Sequence, residues 1–496
     1  MGKRYPPEPS SPQNACRDKE NVEPSSRTSS LRRISKSGSQ SVHIPRFYYP
    51  QGRPKSSGEV ETLLQKIAST FSGFHDGKVG PEQFGVITKA SSLPLYWKLP
   101  LFLAAGGESK GVVSCDMFLD FWKRVITSCH DESSQFVRVI TQGKRKYLLP
   151  DDFVPLIQDV IDTHPGLTFL KEAAEFHSRY VHTVIARIYY NVNRSWSGQI
   201  TIPELRKSNF LQILALLEEE EDINQITEYF SYEHFYVIYC KFWELDKDHD
   251  LFIDKHDLSR HNDGAISLRM IERLFSGAVT RGPIQKDGKM SYTEFVWFLI
   301  SEEDKRHPRS IEYWFRCMDL DGDGFLSMYE LEYFYEEQLT RMEALGIETL
   351  PFKDCLCQML DMIRPKYNGK ISLSDLKNCK MTPIFFDTFF NLEKYLDHEQ
   401  RDPFAAQRDH ELEGVELSDW DRYAAEEYEL LVAEEGANDH PEDLMYEDYE
   451  REDDELSTGL EKLSVPGVLH PRTLHVGSDM DDDEYDYADS DADYHY

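Results

Sequence analysis

Two stretches of the sequence set carboxylates at alternate positions: DLDGDGFLSMYE, Asp319 to Glu330, and DKDHDLFIDKHD, Asp246 to Asp257. Oxygen ligands at that spacing suit a hard divalent cation. Calcium takes about six to eight oxygens, and a loop between two helices supplies them from positions 1, 3, 5, 7 (a backbone carbonyl), 9 and 12, with glycine at 6 for the turn. The first stretch meets every condition, with Asp319, Asp321, Asp323, the Phe325 carbonyl, Ser327 and Glu330 as ligands and Gly324 at position 6. The second offers Asp246, Asp248, Asp250, the Phe252 carbonyl, Asp254 and Asp257, and so attracts a cation more strongly. Its geometry is poorer. Leu251 stands where glycine belongs, at a cost of about 1–2 kcal/mol if φ must be positive, and Asp257 is one methylene short of the glutamate that grips calcium with both oxygens. For either stretch the competing reading is a solvated acidic turn.

Such a loop needs a helix on each side, an aliphatic residue at position 8 whose backbone bridges to a partner loop, and an apolar residue at 13 to begin the exit helix. Eight segments fit, starting at 72, 106, 141, 193, 246, 283, 319 and 364. Position 8 is then Val79, Val113, Leu148, Ile200, Ile253, Met290, Leu326 and Ile371, and position 13 is Phe84, Phe118, Phe153, Leu205, Leu258, Phe295, Leu331 and Leu376. Six of the eight carry glycine at position 6; Lys146 and Leu251 are the exceptions. The spacing predicts pairs, 72 with 106, 141 with 193, 246 with 283 and 319 with 364, since one unit cannot cover its own apolar face. The bland alternative is a helical protein with glycine-containing loops.

The flanks read as helices. HFYVIYCKFWEL places Phe235, Ile238, Tyr239, Phe242 and Trp243 at helical spacing before the 246 loop, and SIEYWFRCM and ELEYFYEEQL bracket the 319 loop. Such aromatic stripes make core. TPIFFDTFFNLEKYLDHEQ (382–400) reads as one amphipathic helix with Pro383 in its first turn. The remaining loops lack charge for a metal. Asn193, Ser195, Ser197 and Glu204 keep the outline of a site with one carboxylate, and Pro283, Arg364 and Lys366 occupy ligand positions elsewhere, so these are expected to be structural loops.

Composition bounds the rest. Of the net charge of −34, residues 401–496 hold 32 acidic against 6 basic side chains, whereas 1–44 hold 8 basic and 4 acidic among many Ser and Pro. Both ends are expected to be disordered tails. The 496 residues are 40% hydrophobic, enough for two to four domains with a substantial core. Eight cysteines without a CxxC pair indicate a reducing compartment, and no signal core or apolar run long enough for a bilayer occurs. No phosphate loop, HExxH, GxSxG or metallophosphatase cluster is present, so the sequence points to binding and regulation rather than catalysis. His256, His261 and His398 beside acidic residues read as surface pairs. The only dense basic run, around Arg32, Arg33 and Ser35, suits a basophilic kinase or a solubilising tail, not nucleic acid.

Together these segments resemble the B″ (B-double-prime, calcium-binding, PR72-like) regulatory subunits of protein phosphatase 2A, most specifically in IPRFYYPQGRP, LPLYWKLPLFLAAGG, KFWELDKDHDLFIDKHDLSRHND, RMIERLFSGAVTRG and FFDTFFNLEKYLDHEQRDP, over about residues 44–435. The resemblance implies an all-α fold: an elongated array of paired EF-hand-like units with short β-bridges. It implies a non-catalytic subunit that binds the HEAT-repeat scaffold (A) and catalytic (C) subunits, recruits phosphoprotein substrates, and holds Ca²⁺ in both the 246 and 319 loops, with calcium tuning assembly or activity. The expected divisions are a tail at 1–43, an extended docking segment at 44–58, degenerate units at 59–185, EF-hand domains at 186–300 and 301–400, a helical segment at 401–436 and an acidic tail at 437–496. The 246 unit is expected to meet the scaffold and to be tightened by it, and the location to be cytoplasmic or nuclear. The alternative is a stand-alone calcium sensor for helical targets.

Overall fold

A computed structural model of the chain describes Tyr49 and residues 52–281, 288–400 and 417–438. The expected N-terminal tail, the IPRFYYP segment apart from Tyr49, Pro283 and the acidic tail beyond Asn438 lie outside the described residues. Within them the chain is helical, and its strands are four antiparallel pairs of two or three residues.

Those four pairs are the ones the spacing predicts. In the first, α1 (Ser57–Phe71) leads into β1 (Lys78–Val79) and α2 (Phe84–Ala90); α3 (Lys98–Ala104) and α4 (Gly107–Lys110) precede β2 (Val113–Ser114) and α5 (Cys115–Ser128), and Val79 bridges Val113. In the second, α6 (Glu132–Ile140), β3 (Tyr147–Leu148) and α7 (Pro150–Thr163) pair with α8 (Ala174–Val192), β4 (Ile200–Thr201) and α9 (Ile202–Lys207), followed by α10 (Phe210–Leu216); Leu148 bridges Ile200. The third joins α11 (Tyr232–Leu245), β5 (Phe252–Ile253) and α12 (Lys255–Leu258) to α13 (Leu268–Leu274), β6 (Met290–Ser291) and α14 (Tyr292–Glu303), with Ile253 opposite Met290. In the fourth, α15 (Pro308–Met318), β7 (Phe325–Ser327) and α16 (Met328–Ala344) face α17 (Phe352–Ile363), β8 (Lys370–Ser372) and α18 (Leu373–Asn378), with Leu326 opposite Ile371. All eight position-8 and all eight position-13 side chains are buried, because the bridge turns one toward the partner loop and the exit helix turns the other beneath it.

One apolar core runs through the four pairs. Phe136 links the first two, stacked edge-on against Trp97 at 5.0 Å and Phe210 at 5.8 Å. Helix α8 belongs to the second pair yet packs along α14 of the third, where Trp297 Nε1 donates to the Ala186 carbonyl (2.9 Å) and Thr183 shares a hydrogen bond with the Tyr292 hydroxyl. The divisions expected after residues 185 and 300 therefore fall inside continuous helices, α8 and α14, and the first also separates loop 193 from its partner, loop 141. Helix α1 begins at Ser57, capped by Ser56, two residues before the division expected at 58/59.

The 382–400 segment is not one helix. It forms α19 (Thr382–Phe390) and α20 (Leu392–Gln400), broken at Asn391, where the chain bridges Ile266: Ser267 N donates to the Phe390 carbonyl and Leu392 N to that of Ala265. Pro383 sits in the first turn as the sequence indicates. α19 is buried nearly all round, so its sequence reads as apolar rather than amphipathic. At the break lies a buried ionic network. Lys305 pairs with Glu302 (2.6 Å) and Asp387 (2.8 Å), Lys394 reaches Glu302 and Glu303, and Asn391 Nδ2 donates to Glu302. Burial opposes the charge on Glu302, but the two lysines hold its carboxyl down at about 2.

The last described helix, α21 (Asp419–Asn438), lies along α11, with further contact to α14. Trp420 is buried and donates its indole N–H to His234 Nδ1 (3.1 Å), which also accepts from Arg187, and Lys241 pairs with Glu427 at 2.8 Å. His234 is thus a neutral acceptor. Burial, then the Arg187 charge, hold its imidazole well below the usual range, and burial lowers the buried His164 and His261 as well. All three take up protons in the unfolded chain below about pH 6.5 but resist doing so when folded. Stability should therefore be full above that pH and fall as pH drops through the window beneath it, each histidine steepening the loss by about 1.4 kcal/mol per pH unit. Urea unfolding between pH 7.5 and 5 checks this, and His234→Gln, which keeps an acceptor but cannot protonate, should flatten the slope; an unaltered slope would refute the role given to His234.

Candidate metal centres

In six of the eight loops the acidic residue at position 12 accepts the backbone N–H of position 9. The donors are Leu149 (2.7 Å), Thr201 (2.9 Å), Asp254 (3.0 Å), Ser291 (2.8 Å), Ser327 (2.7 Å) and Ser372 (2.9 Å). This closes the loop onto its exit helix and satisfies an N–H that the helix leaves unpaired. One carboxylate oxygen is spent in this way. What the other oxygen meets distinguishes the loops.

In the 319 loop, Asp319 ends α15 and its carboxylate accepts from Gly322 N (2.8 Å) and Gly324 N (3.0 Å), while Asp321 accepts from Asp323 N and Asp323 from Phe325 N. These amides fix the three carboxylates so that one oxygen from each lies within 4.8 Å of the others. Buried Glu330 caps α16 through Oε2, and its Oε1 accepts only from Leu320 N, at 2.6 Å, facing back over the loop. Ser327 is the cap residue and the Phe325 carbonyl lies in β7. Burial, followed by the charges of Glu330 and Asp323, raises the Asp319 pKa, whereas the Phe325 amide and Lys370 lower that of Asp323.

The 246 loop gathers Asp246, Asp248 and Asp250 to the same 4.8 Å tolerance. Asp246 is fully buried, ends α11 and accepts from Asp250 N (3.2 Å) and Leu251 N (3.1 Å). Leu251 has a φ of 68°, the left-handed turn that the six glycines make at 60° to 83°. Leu251 is 43% exposed, and the left-handed conformation is the one the loop geometry requires at this position. Lys146, the other exception, is spared because its loop turns earlier, at Gln142 and Gly143. Asp254 caps α12. Asp257 is too short to cross the loop as Glu330 does; its Oδ1 instead pairs with Arg260 (2.7 Å), whose guanidinium also holds the Leu245 carbonyl. The Phe252 carbonyl is in β5, opposite Ser291.

The sequence alone does not disclose how the partner loops take part. Position 7 of each is a lysine that reaches the position-5 carboxylate of the metal loop: Lys370 meets Asp323 at 3.2 Å and Lys289 pairs with Asp250. In the 193 loop the amide of Asn193 takes a cation's place. Its Nδ2 donates to Gln199 O (2.9 Å), Ser195 Oγ (3.3 Å), Ser197 Oγ (3.4 Å) and Glu204 Oε1 (3.4 Å), the atoms of positions 7, 3, 5 and 12. In the 141 loop the position-5 guanidinium, Arg145, pairs with Asp152 at position 12. The expectation of a structural loop thus has a mechanism at 193, where Asn193 supplies the donor, as Arg145 does in the 141 loop. Asp257 and Arg260, three apart on one helical turn, form a pair that spacing could have revealed; the Asn193 arrangement leaves no such signal.

Comparison with known proteins identifies the same helix-loop-helix units. Family models match in three places: "P2R3B, EF-hand" over residues 66–125, an EF-hand domain over 131–220 and an EF-hand domain pair over 235–336. Among the B″ regulatory subunits of serine/threonine-protein phosphatase 2A, the beta form of Homo sapiens is 62% identical over 404 residues, 81% of this chain and 70% of that protein; the delta form of Mus musculus is 55% identical over 402 residues, 81% and 82%. The chain belongs to the B″ regulatory subunits of protein phosphatase 2A. The alpha form of Homo sapiens is 64% identical over 414 residues, 83% of this chain, which spans only 36% of that longer relative. A solved chain from a PP2A PR70 holoenzyme, described as diCa, shares 72% identity with a TM-score of 0.52, covering 54% of this chain and 99% of its own. These relatives are named as regulatory, not catalytic, subunits. Among the described residues no helix is long and apolar enough to cross a membrane.

The oxygens of the two B″ loops fit calcium. Converging carboxylates without a competing side-chain donor at position 1, and a position-12 acid already fixed by its helix, are what the ion needs. In the 319 loop Asp319, Asp321, Asp323, the Phe325 carbonyl, Ser327 and Glu330 would hold it, and in the 246 loop Asp246, Asp248, Asp250, the Phe252 carbonyl, Asp254 and Asp257. When bound, the ion would neutralise clustered charge and tie the leading helix to the exit helix. Two substitutions test the loop physics. Leu251→Gly should raise stability by about 1 kcal/mol by relieving the left-handed leucine, read as a higher thermal midpoint in chelator. Asn193→Asp removes the amide donor and should destabilise the chain by about 1–3 kcal/mol; millimolar calcium should restore part of that loss in the variant, beyond its effect on the parent.

Proposed function

We propose that the chain is the non-catalytic subunit of a phosphatase 2A heterotrimer, binding the scaffold and catalytic subunits and recruiting phosphoprotein substrates, with calcium in the 246 and 319 loops tuning assembly. The observation that carries the calcium part is the contrast among loops: the 141 and 193 loops fill their centres with a guanidinium and an amide, and these two present converging carboxylates. A metal-ordered loop presents a preorganised surface, so that less conformational entropy is lost on association. The 246 loop, with its strained Leu251 and short Asp257, gains most from a partner that holds it in place. A stand-alone sensor must expose an apolar groove when calcium binds. Here α8, α19 and α21 already cover the helices around the metal loops.

Reconstitution of the full chain with scaffold and catalytic subunits provides the test. A stable three-chain complex should form in chelator and tighten in calcium, and Asp246→Ala with Asp248→Ala should abolish the tightening. Scaffold affinity that is the same in calcium and chelator, for parent and variant alike, would overturn the calcium role; binding to any target only with calcium would favour the sensor.

A further inference from the structure

A cavity of about 500 Å³ opens between the end of α8, the α9–α10 junction and the starts of α15 and α21. Neither metal loop touches it. Arg187, Arg194, Lys207, His307 and Arg309 are among the residues that line it. Arg187 is 3% exposed; its Nη2 donates to the Thr227 carbonyl and to His234, but its Nη1 has no partner. A buried guanidinium with an idle N–H is a large electrostatic cost unless an acceptor arrives. Arg194 and Lys207 are exposed at the rim, and among the described residues neither has an ion-pair partner. Arg309 stands in the first turn of α15, tied to Glu312 at 3.4 Å.

Two further features favour an anion. The eleven-residue helix α15 begins at the cavity, so the positive end of its dipole lies there. Its cap, His307, accepts the Arg309 amide at Nδ1, so the proton of the neutral ring is on Nε2 as a further donor; burial pushes this imidazole down to about 4. Three acids also line the cavity, Glu228, Asp304 and Asp421. Asp304 is engaged by the amides of Arg306 and His307, and Asp421 lies 3.7 Å from His234. The lining thus sets four cations, Arg187, Arg194, Lys207 and Arg309, against these three acids, and an anion would supply the acceptor that Arg187 Nη1 lacks.

We infer that this cavity binds a phosphate monoester, presented as a phosphorylated serine or threonine side chain of a polypeptide, with Arg187 at its base and Arg194, Lys207 and Arg309 around its mouth. The anion site stands on its geometry; its assignment to a polypeptide rests on the reading of the chain as a phosphatase regulatory subunit. Arginine guanidinium groups match phosphoryl oxygens in pairs, which suits a monoester better than a carboxylate.

Calorimetric titration of the full chain, without scaffold or catalytic subunit, tests this separately from assembly. The probes are a short phosphoserine peptide, the same peptide unphosphorylated, and inorganic phosphate. The phosphopeptide should bind and inorganic phosphate should displace it. Arg194→Glu with Lys207→Glu, both at exposed positions, should weaken binding at least tenfold while leaving the ligand-free thermal midpoint in place; Arg187→Lys should weaken it too if the variant folds. Equal binding of the unphosphorylated peptide, unchanged affinity in the double variant, or no binding of either phosphorylated probe at millimolar concentration would overturn the inference. Binding of inorganic phosphate without the phosphopeptide would overturn the polypeptide assignment.

Discussion

A carboxylate at position 12 of a loop has two oxygens, and in Asp152, Glu204, Asp257 and Glu330 the two meet different partners. One caps the exit helix in six of the eight loops, from Asp152 to Asp375. That bond fixes where each exit helix begins, and hence where the buried position-13 residue enters the core and where the position-8 bridge meets its partner. The fold can hold this frame without any metal, because the cap is made of protein. The second oxygen faces the loop centre, where an unmatched charge would be costly, and the chain meets that demand differently from loop to loop. Asp152 has Arg145, Glu204 has the Ser195 backbone N–H (2.8 Å) with the Asn193 amide at 3.4 Å, Asp257 has Arg260, and Glu330 has the backbone N–H of Leu320.

This series ranks the loops by what a cation must displace. In the 193 loop the amide donates to the same atoms that would be ligands, so an ion would have to expel it and leave four acceptors to share. In the 319 loop, among the described residues, the carboxylates are engaged by backbone amides, the Ser327 hydroxyl (on Glu330 Oε2, 2.8 Å) and Lys370, which touches one oxygen of Asp323. The 246 loop lies between: its Asp triad is as tightly gathered, but Asp257 is already paired with Arg260 and Leu251 is held at positive φ. The same lysine-to-position-5 contact recurs at Lys289 and Asp250, so each metal loop is flanked by a partner that contributes positive charge and no carboxylate cluster.

Much of this frame was legible in the sequence, for a physical reason. Positions 6, 8 and 13 report backbone constraints, a left-handed turn, a bridge and a helix start, and those constraints narrow residue choice enough to show as Gly, an aliphatic and Phe or Leu. All four pairings follow from them. The break at Asn391 was not legible, because it is caused by Ile266, over a hundred residues away, and a nearly all-apolar segment gives no periodicity to contradict one long helix. The placement of α21 against α11 was equally hidden. Its acidic sequence resembles its surroundings in composition, and only Trp420, with His234 as its acceptor, reveals a buried face. The basic cavity was invisible too, since Arg187, Arg194, Lys207 and Arg309 come from separate elements.

Three arginines hold the ends of leading helices, two of them, Arg281 and Arg273, from a neighbouring pair. The carbonyls at the end of a leading helix have no partner within it, and a cation there is favoured by the helix dipole. Arg281 donates to the carbonyls of Tyr189 and Asn193 at the end of α8, Arg260 to that of Leu245 at the end of α11, and Arg273 to those of Cys317 and Asp319 at the end of α15. Each therefore fixes the residue that opens a loop, or its immediate neighbour. All three arginines come from the third pair, Arg260 after α12, Arg273 on α13 and Arg281 beyond it. The third pair thus carries the strained metal loop and also grips position 1 of the loops on either side. A displacement of α13 relative to α15 would shift the Asp319 carbonyl directly, and the buried Lys305 and Lys394 network ties α14 to α19 and α20 over the same boundary. The third pair is thus hydrogen-bonded, through Arg273, to the backbone of the residue that opens the 319 loop.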